Sequence, residues 1–336
     1  MPPERSVLVT GGAGYVGAVL IPKLLARGHR VRVLDLYLFG DDVLPRGNPA
    51  LEEIRGDIRD EKTLRQALTG MDAVIHLACI SNDPSFELNP SLSRSINFDA
   101  FEPLVAISRE SGVGRFIYAS TSSVYGVSDA PDVTEDHPLV PLTDYNKYKG
   151  LCEPIAQRYQ RDGFDVGIIR PATVCGYSPR MRLDLTVNIL TNLAVNKGTI
   201  TIFGGTQKRP NIHVDDISEL YVELLDLPSA KVTGKIFNAG YQNHTVAELG
   251  EIVRSVVSRE MPERGSIRVE TSPSNDLRSY HVSSERIRRE LGWTPKRTVE
   301  DAVVGMCKAF RENRIPGALT DIRYVNVKTV QAAGLV

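Results

Sequence analysis

Tyr145 and Lys149 stand four residues apart in DYNKYKGLCE. On a helix that spacing puts both on one face, about a turn apart. A neighbouring ammonium favours a phenolate, whose ordinary pKa of ~10 leaves little base at neutral pH. The pair therefore predicts a phenol that takes a proton from a substrate hydroxyl, with Lys149 helping it and also reaching a cofactor ribose. Tyr148 has Cys152 four residues on and lacks that partner. Upstream, FIYASTSSVYG (116–126) places Thr121, Ser122 and Ser123 just after an apolar run. Hydroxyls at the carboxyl end of a parallel strand lie where ligands bind in α/β sheets. The same residues also serve as loop and helix caps.

The stretch that must position this pair's cofactor is VLVTGGAGYVGAVLIPKLLARGHRVRVLD, 7–35. It reads as strand, glycine turn, a helix over 16–26 ended by Gly28, and a second strand. Gly11, Gly14 and Gly17 form G-x-x-G-x-x-G, which lets a pyrophosphate approach the backbone and a helix N-terminus. Asp35 closes the second strand where an acid accepts hydrogen bonds from an adenosine ribose. A 2′-phosphate would meet its charge, and neither Leu36 nor Tyr37 supplies a cation, so the pattern selects NAD over NADP.

Strands and helices then alternate: a helix over 62–68, a strand over 73–77, a helix over 98–110 and a strand over 115–119. A helix over 145–160 follows, with Pro154 expected to bend or divide it, then a strand over 166–170. This alternation predicts a doubly wound parallel sheet of the Rossmann type. Beyond Pro171 the pattern loosens, with helices over 185–195 and 217–225 and a strand over 235–238. We expect an NAD-binding domain over residues 1–170, with about 211–238 returning to it. Residues 171–210 and 239–336 are expected to form a smaller substrate-binding lobe. The final segment, 317–336, carries no motif.

Bulk composition excludes several classes. The 336 residues are 42% apolar and 24% charged, with a net charge of −1. That is ordinary globular usage, without the basic surface that nucleic acid or an anionic membrane would require. No apolar run reaches the ~18 residues of a membrane span, and MPPERSVLVT reads as a strand start rather than a signal peptide. A cytoplasmic location is expected. Four cysteines without paired spacing point to reduced thiols, and six scattered histidines to no metal site.

Seven segments in order carry a resemblance: TGGAGYVG, GDIRD (56–60), HLAC (76–79), YASTSSVYG, YNKYK, RPATVCGYSP and GGTQKRPNIHVDD. Together they make the chain similar to the extended short-chain dehydrogenase/reductases, in the NAD-dependent nucleotide-sugar epimerase and dehydratase branch. The resemblance implies a pyrophosphate turn of Gly11, Gly14 and Gly17 with Tyr15 and Val16 between them. Asp35 would take the ribose, Asp57 and Ile58 the adenine, and Leu77 and Ala78 the nicotinamide side, with Asn97 near the cleft. Thr121 would be the catalytic hydroxyl, Tyr145 the base and Lys149 its helper. Arg209 and Arg278 would clamp a nucleotide diphosphate, for which a bidentate guanidinium is suited. A homodimer through paired helices, including the Tyr145 helix, is implied as well.

Two departures narrow the reaction. Dehydratases of the family resemble one another in Thr-Asp-Glu at this strand end, where this chain has Thr121, Ser122, Ser123. A serine does not readily protonate a leaving hydroxyl, so dehydration and decarboxylation are disfavoured. Thr173 and Cys175 stand where many relatives have Asn and Tyr, which points to altered substrate contacts. The expected function is an NAD-dependent epimerase of a nucleotide-linked sugar, acting by transient oxidation at carbon 4. The alternatives are a reductase, oxidase or 4,6-dehydratase of such a sugar, or a non-catalytic NAD sensor.

Overall fold

Seven strands pair in parallel to make the central sheet of this computed structural model, which describes residues 4–273 and 279–334. In chain order the first six strands are β1 (Ser6–Thr10), β2 (Arg30–Asp35), β3 (Leu51–Arg55), β4 (Ala73–His76), β5 (Arg115–Ala119) and β6 (Asp165–Pro171). They are followed by β7 (Thr173–Cys175), β8 (Thr199–Phe203), β9 (Lys208–His213), β10 (Lys235–Ala239), β11 (Gln242–Thr245) and β12 (Arg268–Ser272). The central order is β10-β6-β5-β4-β1-β2-β3. The chain therefore builds outward from β1 through β2 and β3, then crosses to β4 on the other side. That reversal opens a crevice at the carboxyl ends of β1 and β4, the position where such sheets take ligands.

Alternation along β1 explains why both faces are covered. Val7 and Val9 point into one core with Leu20, Leu24, Ile217 and Leu220 of the helices Gly17–Ala26 and Val214–Asp226. Leu8 points into the other, with Leu64, Leu104 and Ala156 of the helices Glu61–Leu68, Phe101–Glu110 and Asp144–Tyr159. A separate group pairs β11, β9 and β7, and another pairs β12 with β8. The helices Thr186–Lys197, Val246–Glu260 and Val299–Arg311 share a third core there, including Val187, Val253 and Val303.

Three local readings change. The helix expected over 98–110 starts only at Phe101, because Ser95–Asp99 is a wider π turn in which Ala100 N–H donates to the Ser95 carbonyl. The helix Asp144–Tyr159 runs through Pro154 without ending there. Within the motif-free tail, a helix Asn326–Ala332 forms and packs against Asp83–Leu88.

Candidate active site

The glycine turn after β1 is tight for reasons of space. Gly11 has φ +75°, and a Cβ there would lie 2.6 Å from the Ala78 nitrogen. At Gly17 a Cβ would lie 2.3 Å from the Gly12 carbonyl oxygen, so only glycine lets the helix start this close to the turn. Val16 caps that helix with no side-chain hydrogen bond, and its first turn holds no acid. The positive end of the helix is thus left for an anion, which fits a dinucleotide's diphosphate. Asp35 accepts from Ala13 N–H at 2.9 Å and from Tyr37 N–H at 2.8 Å. Its carboxylate therefore ties the turn to β2 as well as facing the cleft. Partial burial opposes charge on Asp57, but hydrogen bonds from Arg59 outweigh it and hold the carboxyl below the usual range.

Gly11, Gly14, Tyr15, Val16, Gly17, Asp35, Asp57, Ile58, Leu77 and Ala78 line one end of a cavity of about 660 Å³. Thr121, Ser122, Ser123, Tyr145, Lys149, Thr173 and Arg209 line the same cavity. Asn97 does not. Its Oδ1 accepts from Ile80 N–H at 2.8 Å and its Nδ2 donates to the Ile80 carbonyl at 2.9 Å, so it braces the wall instead of facing the cleft. The Tyr15 hydroxyl is likewise occupied, donating to the Gly176 carbonyl at 2.6 Å. Arg278 lies outside the described residues.

The helix carrying Tyr145 begins at Thr143, whose hydroxyl accepts from Asn146 N–H. Thr121 caps the short turn Ser122–Tyr125, and a hydroxyl chain runs from Thr121 through Ser123 to Asn146 Oδ1, at 2.8 and 2.5 Å. The strand end and the Tyr145 helix are therefore held in one register. Lys149 is buried with its Nζ donating to the Ala119 carbonyl at 2.7 Å, above the Tyr118 ring. Burial, with Cys79 and Asp83 nearby, pushes the Tyr145 phenol well above its ordinary range; Arg182 opposes this. The lowering of that pKa by Lys149 expected from the spacing is thus corrected. The helix face brings the two residues together, but Lys149 directs its ammonium to a backbone carbonyl.

Behind the strand end is a buried network. Ser120 donates to Glu153 at 2.6 Å, and Arg170 grips both Glu153 oxygens at 2.9 and 2.6 Å. Arg170 also donates to the Tyr125 hydroxyl, which donates on to Asn238. Elsewhere in the cavity lining, Arg182 pairs with Asp184, Asp184 accepts from Asn82 and from Asn326 N–H, and Arg180 donates to Asn326. None of these residues was singled out from the sequence. The run PRMRLD, two arginines and an acid amid apolar neighbours, was the available signal.

A family model described as the NAD dependent epimerase/dehydratase family matches residues 7–240. The chain belongs to this family. Among curated relatives it is 36% identical over 216 residues to protein y4nG of Sinorhizobium fredii, covering 64% of this chain and 52% of that protein. It is 29% identical to UDP-glucuronic acid decarboxylase 1 of Arabidopsis thaliana over 92% of this chain and 70% of the relative. It is 27% identical to a UDP-glucose 4-epimerase of Lactobacillus helveticus over 93% and 98%. Of solved structures, DesIV, a dTDP-glucose 4,6-dehydratase from Streptomyces venezuelae with NAD bound, superposes with a TM-score of 0.81 at 28% identity, over 92% of this chain and 98% of DesIV. MoeE5 in complex with UDP-glucose and NAD gives 0.78 at 27%, over 92% and 99%. The decarboxylase, the 4-epimerase and the 4,6-dehydratase among them are named for different reactions on nucleotide sugars, and among the described residues no helix of this protein is long and apolar enough to cross a membrane.

The family fold also predicts thiol behaviour. Burial pushes Cys152 and Cys175 up to about 12 and Cys307 to about 11, whereas Cys79 is half-buried and lines the cavity. A chromogenic disulfide reagent at pH 8 should therefore titrate one thiol rapidly in the native protein and four after denaturation. Added NAD should slow that first reaction. Rapid reaction of three would show that the buried thiols open readily.

Proposed function

We propose that the protein is an NAD-dependent epimerase of a nucleotide-linked sugar, acting by transient oxidation at carbon 4. One observation carries this choice within the family: every carboxylate among the cavity's described lining residues is already engaged. Asp35 holds the backbone of the glycine turn, Asp57 holds Arg59, Asp83 accepts from Thr143 and Asp184 pairs with Arg182. Elimination or decarboxylation chemistry that needs a mobile acid beside Thr121 finds Ser122 and Ser123 instead.

The glycine turn, Asp35, Asp57, Ile58, Leu77, Ala78 and Lys149 would hold NAD, which accepts the hydride and returns it. The remaining work belongs to the chain. Tyr145 takes the proton of the carbon-4 hydroxyl as the carbonyl forms, and Thr121 donates a hydrogen bond to that oxygen. The keto sugar then turns over within the cavity, and Tyr145 returns the proton after reduction on the opposite face. Thr173 and Arg209 would face the sugar nucleotide. In this reading residues 1–170, with about 211–238, hold the cofactor, and residues 171–210 and 239–336 hold the substrate. Exposed Leu139, Val140, Leu142 and Leu151 on and beside the Tyr145 helix support a homodimer. The expected setting is cytoplasmic.

The test is to denature the purified protein, identify released dinucleotide by mass spectrometry, and screen nucleotide sugars with no coenzyme added. Near-stoichiometric NAD(H) with epimerised product supports the cycle. A strict need for added coenzyme would replace it with a net reductase or oxidase. In addition, Asp35→Asn should lower discrimination against NADP on the order of tenfold, the loss of one charge-assisted contact and one repulsion. Paired NAD and NADP titrations check this, and unchanged discrimination would remove Asp35 from selectivity.

A further inference from the structure

One cation of the cleft makes no ion pair within 4 Å among the described residues, although Asp184 and Asp35 lie near enough to favour its charge. Arg180, in the loop after β7, is 3% exposed, and its guanidinium carbon lies 3.7 Å from the centroid of the Phe39 ring. Nη2 donates to Asn326 Oδ1 at 2.5 Å, while Nε and Nη1 find no hydrogen-bond partner among the described residues. Arg182 beside it is paired with Asp184, so the two arginines differ in kind. Burial, with the like charge of Arg182, pushes Arg180 down to about 9. A buried guanidinium with two empty donors is costly. It is suited to an anion that arrives later.

The surroundings say which anion. Arg180 lines the cavity, and its charge is felt by Asp35 and Tyr15. Its loop is fastened to the glycine turn, because Ser178 donates to the Tyr15 carbonyl at 2.8 Å and Tyr15 donates to Gly176. The other charged lining side chains at that end are Asp35 and Asp57, both acidic. Asp57 is already paired with Arg59, so a diphosphate seated on the helix N-terminus would otherwise meet the Asp35 carboxylate. Of the other described lining cations, Lys149 is bonded at the catalytic end, Arg182 is paired and Arg209 stands on β9. A nucleotide sugar also carries a diphosphate, but the adjacency to Asp35 and Tyr15 favours the dinucleotide's.

Resting on the NAD reading of the cleft, we propose that Arg180 binds the diphosphate of the dinucleotide from the side opposite the glycine turn. The 176–184 loop and the helix Asn326–Ala332 thereby become parts of the cofactor site. The test is calorimetric and NMR titration of wild type, Arg180→Met and Arg180→Lys with NAD, adenosine and UDP, each protein first freed of bound dinucleotide and checked by mass spectrometry. Met keeps the apolar stem over Phe39 and removes the charge. The affinity of Arg180→Met for NAD should fall at least about tenfold, with adenosine and UDP within about twofold of wild type. Arg180→Lys should recover part of the loss, and it carries the test if the Met variant does not fold. Melting without nucleotide should be no lower in Arg180→Met than in wild type, since an unpaired buried charge is gone. Unchanged NAD affinity overturns the proposal, as does an equal loss for adenosine, which would mark a structural role. A loss confined to UDP would assign Arg180 to the sugar nucleotide. Wild type that binds no NAD would overturn the cofactor reading itself.

Discussion

Tyr145→Phe should lower turnover by about three orders of magnitude or more, the scale of one positioned acid–base group, and leave melting behaviour unchanged. One hydroxyl in a cleft contributes little to folding, so the effect separates chemistry from stability. The phenol is held above its ordinary pKa by burial, so the base form is gained as pH rises. In wild type kcat/KM should therefore climb between pH 7 and 9, while the residual activity of the Phe variant stays flat. Steady-state kinetics across that window decides. Equal slopes in the two proteins would assign the titration to another group, and equal rates would leave Tyr145 outside the reaction and favour a sensor.

Arg170→Met should be the most damaging single change to stability, lowering it by about 3–5 kcal/mol. Arg170 and Glu153 are 3% and 2% exposed. Removing the guanidinium leaves a carboxylate in the core with only Ser120, among the described residues, to bond it. The double change Arg170→Met/Glu153→Met removes both charges and should recover much of the loss, because methionine fills similar volume without an unpaired ion. Urea unfolding of the two variants and wild type measures this. A loss below about 1 kcal/mol in the single variant would mean water enters the site. Since Ser120 precedes Thr121, the single variant should also misplace the strand-end hydroxyls.

What the sequence made legible was local. The glycine turn, Asp35 and the alternation of strands and helices are written in contiguous residues, and the crevice follows from their order. The Tyr145–Lys149 spacing correctly put both residues on one helix face. It could not say that Lys149 would reach past the phenol to the Ala119 carbonyl, because that carbonyl comes from a strand 30 residues earlier. Asn97 looked available for a cofactor for the same reason: its partner, Ile80, is set by packing rather than by pattern. Arg180 and Asp184 meet Asn326 only when the tail returns, across 146 and 142 residues. Periodicity carries no trace of such meetings, since each residue alone resembles an ordinary surface charge or amide.

Tyr15 has a bearing on the lifetime of whatever sits in the turn. Its carbonyl is held by Ser178 and its hydroxyl bonds both Gly176 and Asn188, so one residue of the glycine loop is shared with the segment on the far side of the cleft. These bonds clasp the glycine loop to the 176–188 segment. If the dinucleotide of the proposed cycle lies under these bonds, its release would require several buried bonds to break together. In the proposed epimerase cycle, coenzyme would be a tenant over many turnovers and the sugar nucleotide a visitor in each, as borrowing and returning the same hydride requires.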